Sequence, residues 1–151
     1  PDYTTPGELL SGGGGLLSTP DDYLRFAQML LNGGELDGKR VLKRETVALM
    51  LQNEIPASLV PINTPPEWHV GRVGFGYGGS VRMDSDPALA GSAGTFRWAG
   101  YGTTFFWVDP KEDLVAMGWT QYMPVLEHWA LDNDFQRLVY AALLPPASGS
   151  R

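Results

Sequence analysis

The chain has 151 residues, 43% apolar and 19% charged, with 19 Gly, 12 Pro and no cysteine. That length can bury roughly 70% of the unfolded surface, the apolar and charged fractions exclude a disordered chain or coiled coil, and the lack of cysteine excludes disulfides, thiolate metal sites and a cysteine nucleophile. A net charge of −6 argues against nucleic acid, whose phosphates require a basic stripe, and no apolar run approaches the ~20 residues of a membrane span.

The chain opens on Pro1, Asp2, Tyr3 and Thr4, with no leading Met, charged n-region or apolar h-region, and reads as a cut from inside a longer protein. Four glycines, Gly12 to Gly15, precede Leu16, Leu17, Ser18 and Thr19. Thr19 reads as the N-cap of a helix with Pro20 at its first position and Asp22 in its first turn. Tyr23, Phe26, Ala27, Leu30 and Leu31 then recur at helical spacing, and Asn32, Gly33 and Gly34 end the run. A glycine run before a helix can cradle phosphate, but no Lys follows at P-loop spacing and two Asp occupy the helix start. The run reads as a backbone turn. Asp37-Gly38 marks a tight turn, and Val47, Met50 and Leu51 form the stripe of a second helix over 44–52. Four prolines make 55–68 an extended loop that could shape a cleft.

The next block reads as strands. Phe75, Tyr77, Gly79, Val81 and Met83 alternate with small or polar residues, which suggests one strand with an open glycine face. Further strands are predicted over 95–98, 103–108 and 114–121, with a hairpin turn over 109–113. The last two are apolar on both faces and need cover on both sides. Leu131, Phe135, Leu138, Val139 and Ala142 mark an amphipathic helix that supplies one cover. Residues 145–151 read as a disordered tail. The fold class is therefore α+β, an antiparallel sheet packed with helices.

Chemistry is sparse. His69 and His128 lie far apart and in no metal-binding frame, so neither a metal nor a cofactor is expected. Asp84 and Asp86 flank a turn, and Asp132 and Asp134 sit at a helix start; turn and dipole roles explain them. No Ser lies in a G-x-S-x-G elbow.

The segment 91–110, with Trp98-Ala99-Gly100-Tyr101-Gly102-Thr103 at its centre, resembles the third motif region of serine β-lactamase-like hydrolases. It is most similar to the class C-like branch that holds family VIII carboxylesterases. There a Trp-x-Gly on a strand replaces the Lys/His-Thr-Gly of β-lactamases and penicillin-binding proteins. Residues 102–121 and 11–42 resemble the same family, so the likeness covers about 12–144. It implies the C-terminal part of a β-lactamase/transpeptidase-like fold. It also implies that the Tyr101 N–H is one of two oxyanion donors and that Trp98, Ala99 and Gly100 bind substrate, on an edge strand beside the nucleophile. Glycine in that strand lets a substrate approach the backbone.

The family's Ser-x-x-Lys and Tyr-x-Asn are both absent: no Ser here has Lys three positions on, and no Tyr has Asn two positions on. In the family both lie N-terminal to this segment. The chain then reads as the C-terminal portion of an acyl-serine enzyme, inactive alone. Its partners would be the N-terminal part of its own chain and a small ester or amide, with self-association of the isolated piece. Trp98 in place of a cation favours neutral esters over β-lactams. Two other readings fit the residues: a catalytically silent relative, or a module presenting Trp68, Trp98, Tyr101 and Trp107 to a glycan or peptide.

Overall fold

A computed structural model describes residues 5, 9, 12–14, 16–62, 71–84, 86, 88–123 and 128–143. Trp68, His69 and the expected tail over 145–151 lie outside the described residues. Helix α1 spans Pro20–Leu31. Thr19 caps it, its Oγ1 accepting the Asp22 N–H at 3.2 Å. Asn32 closes it, followed by Gly33 and Gly34 at positive φ. The buried stripe is Ala27, Met29 and Leu30; Phe26, expected inside, is exposed and leans edge-on against Tyr23.

Strands β1 (Glu35–Leu36) and β2 (Lys39–Arg40) form a small hairpin about Asp37-Gly38. Helix α2 is Arg44–Met50, two residues shorter than expected, and buries Val47. The described part of the proline loop holds one 3-10 turn, Ala57–Leu59.

The main sheet is an antiparallel meander: β3 (Val73–Phe75), β4 (Ser80–Arg82), β5 (Phe96–Ala99), β6 (Phe105–Asp109) and β7 (Leu114–Gly118), in that spatial order. The ten-residue alternation read as one strand is the β3–β4 hairpin. Phe75 pairs with Ser80, and the Gly76 N–H closes the turn on the Gly79 carbonyl at 2.9 Å. Four residues lie between the paired ends, so Phe75 shares a face with Ser80 and Val81 with Gly74: the odd-numbered residues change faces across the turn although they alternate without a break in sequence. The open glycine face is filled by the chain itself. Asn53 packs where a Gly74 side chain would stand, and its Oδ1 accepts the Phe75 N–H at 3.0 Å.

Alternate residues build two faces. Val81, Phe96, Phe106 and Val108 meet Ala27, Met29, Leu30 and Val47 in one core. Each large side chain buried there contributes about 1.5–3 kcal/mol. On the other face Trp107 and Phe105 meet Phe135 edge-on at 5.9 and 5.6 Å. Strand β6 is therefore buried at every residue, while β7 is half-buried and pairs only with β6 among the described residues.

Helix α3 (His128–Ala142) covers that second face with part of the expected stripe, Phe135 packing on Phe105 and Trp107. Leu131 and Leu138 are exposed; Asp132 and Gln136 are buried. The cause is Arg97 on β5, which ion-pairs with Asp132. A buried guanidinium must find a carboxylate, and this fixes the rotation of the helix. The dipole role given to Asp132 is thus replaced by an ion pair. Farther along α3, the Tyr140 hydroxyl donates to buried Asp109 at 2.7 Å. Burial alone would raise the Asp109 pKa, but this bond, with the Glu112 and Ser92 N–H groups and the Thr95 hydroxyl, holds it below the usual value. Burial and the same bond push Tyr140 up.

Candidate active-site cleft

Strand β5 was expected at an edge and is instead the middle strand of the five. Its open side is confined to its end. β4 reaches only Phe96 and Arg97, whereas β6 continues to Trp98 and Ala99 through Phe106 and Phe105. Trp98 and Ala99 therefore run beyond β4. Trp98 meets the edge of Phe75 at 5.1 Å between ring centroids and is half exposed.

After β5 the chain turns within four residues. The Gly100 N–H donates to the Thr104 carbonyl at 2.7 Å, and the Thr103 N–H donates to the Gly100 carbonyl at 3.1 Å. A side chain at Gly100 would stand 2.5 Å from Thr104 Oγ1, so the Thr104 side chain must shift to admit one. Among the described residues nothing accepts the Tyr101 N–H. The Tyr101 ring is exposed.

Trp98, Ala99, Gly100 and Tyr101 share the wall of one cleft of about 850 Å³. Leu16 and Leu17 of the glycine-rich segment also line it, and Tyr23, Phe106 and Trp119 add aromatic surface. Tyr23 packs edge-on against Phe106 and Trp119, and burial pushes its pKa up, so its hydroxyl is neutral near pH 7. No charged side chain lines the cleft among the described residues. Ser18 lines it too, but its hydroxyl lies 3.4 Å from the Thr19 carbonyl and the cleft offers no basic side chain beside it. The described chemistry is a backbone donor beside an apolar wall, without a nucleophile and base.

The beta-lactamase family model matches residues 1–141. The chain belongs to the beta-lactamase family. Protein Rv1367c of Mycobacterium tuberculosis is 38% identical over 134 residues, which are 83% of this chain and 32% of that protein. This chain thus spans about a third of the length of the curated relatives it matches. Among solved structures, simvastatin synthase LovD of Aspergillus terreus superposes with a TM-score of 0.74 at 24% identity, over 93% of this chain and 37% of LovD. A beta-lactamase from Mycobacterium bovis, Mb2281c, gives 0.56 at 28% identity, over 82% and 44%. The fold is accordingly the beta-lactamase/transpeptidase-like one, and the family is one of serine hydrolases.

Several expectations shift. Residues 55–62 of the proline loop do not line the cleft. Trp107, proposed for an aromatic binding surface, is 0% exposed. Tyr23 and Trp119 were read as helix stripe and strand. Both border the cleft because α1 packs against β6 and β7, a packing that periodicity alone does not encode.

Proposed function

We propose that this chain is the C-terminal portion of a longer serine hydrolase that cleaves neutral esters through an acyl-serine intermediate. The N-terminal part of the same polypeptide would supply Ser-x-x-Lys and the assisting Tyr. This part supplies the Tyr101 N–H as oxyanion donor, with Trp98, Ala99 and Gly100 lying along the substrate. The observation that carries the ester reading is the cleft's lining. With no charged side chain among the described residues that line it, a substrate carboxylate would lose its hydration with no cation there to replace it. A neutral ester bears no such cost.

The test uses p-nitrophenyl butyrate and a serine-reactive phosphonate. The full polypeptide is expected to turn over the ester and to stop once phosphonylated. The 151-residue chain alone should do neither. Turnover by this chain alone, surviving the phosphonate, would sink the acyl-serine account.

A further inference from the structure

We infer that Thr103 and Thr120 are positioning residues that set the direction of the Tyr101 N–H. The inference rests on the acyl-serine reading above. The Tyr101 N–H and the Gly100 carbonyl belong to one planar trans peptide, so they point in opposite directions. The Gly100 carbonyl is held by the Thr103 N–H at 3.1 Å. Fixing one end of that peptide fixes the other. Whatever immobilises Thr103 therefore aims the donor at Tyr101.

Thr103 is held from every side. It is 1% exposed and sits at φ +59°, a conformation β-branched residues rarely adopt. Its hydroxyl donates to the Tyr122 carbonyl at 2.6 Å. Thr120 Oγ1 lies 2.9 Å from the Gly102 carbonyl and 3.1 Å from the Thr103 carbonyl. The Tyr122 N–H donates to the Gly102 carbonyl at 3.2 Å. Thr120 and Tyr122, just beyond β7, thus grip the turn at both of its last carbonyls and at the Thr103 side chain. A turn that had only to reverse the chain would place glycine at the left-handed position. Here glycine stands one residue earlier and a threonine takes the unfavourable conformation, where its hydroxyl reaches the brace. An oxyanion donor must be fixed before reaction, because reorientation at the transition state forfeits its effect.

The experiment compares the full polypeptide with T120V, T120S and T103S. T120V removes the hydroxyl at nearly constant volume; T120S and T103S keep it. Three quantities are read: the phosphonylation rate, kcat and KM for p-nitrophenyl butyrate, and amide exchange over residues 99–104. T120V is expected to lower kcat and the phosphonylation rate about 10- to 100-fold, with KM little changed, and to speed exchange at Thr103. T120S and T103S should stay near wild type. If T120V does not fold, T120C, a weak donor of similar size, takes its place. Wild-type rates in T120V, or equal losses in T120V and T120S, would overturn the brace while leaving the acyl-serine reading intact. A wild type that the phosphonate does not label would overturn that reading and the oxyanion role together.

Discussion

Arg97 and Asp132 form a buried ion pair on the sheet face opposite the cleft, one residue before Trp98. Arg97 is 8% exposed and Asp132 0%. The pair ties α3 to the strand whose end carries the site. Removing one partner leaves a buried charge uncompensated, so Asp132→Ala is expected to cost about 3–5 kcal/mol. Replacing both, as R97M/D132L, should cost less than D132A alone, because no orphan charge remains. Urea unfolding of both variants measures this, and a double variant that costs as much as D132A would contradict it.

Asp109 joins the end of β6 to Tyr140, and its lowered pKa gives this contact a pH signature. A carboxylate with a depressed folded pKa stabilises the fold above its unfolded pKa, and that stability is lost as pH falls through the folded value. The melting temperature of the wild type should therefore fall below about pH 4. D109N retains one acceptor oxygen where two are used and is expected to cost about 2–4 kcal/mol near neutrality. It should also flatten the acid limb. An acid limb unchanged in D109N would assign it to other carboxylates.

Gly100→Ala places a methyl 2.5 Å from Thr104 Oγ1. Thr104 must shift to admit it, a strain of about 1–3 kcal/mol. The phosphonylation rate of the full polypeptide should fall about tenfold, in line with small misplacements of reacting groups. G100A/T104A removes the opposing oxygen and should recover most of the loss. If G100A reacts at the wild-type rate, the turn does not need glycine.

The helix start at Thr19, the Asp37-Gly38 turn and the order of the meander were legible because each is set by local chemistry: a cap, a left-handed turn, a period of two. The β3–β4 turn was not, because the alternation runs on in sequence through residues 76–79 while the pairing of Phe75 with Ser80 swaps the faces. Nor was the rotation of α3. Leu131 and Leu138 obey the helical period, yet the sheet face they would meet carries Arg97, and a charge seeking its partner outweighs two leucines. The Trp98–Tyr101 segment stood out by resemblance to a motif. Its brace at Thr103 and Thr120 did not, because the contact spans β6 and β7 and no local pattern records it.

The outer edge of β7 leads to a final expectation. Among the described residues this edge has no neighbour, although Val115 and Met117 pack into the core beside it. An unpaired edge next to apolar side chains is a template for another strand. Leu16 and Leu17 add apolar surface at 82% and 71% exposure. If the rest of a longer polypeptide covers these surfaces, the 151-residue chain alone should associate at micromolar concentration and bind a hydrophobic dye. The full polypeptide should then sediment as a discrete species with a cooperative melt and little dye binding. Sedimentation velocity on both separates the cases. A dye-silent monomer of the short chain, melting cooperatively, would mean that this part of the fold closes its own edge, and the partial-domain reading would fall with it.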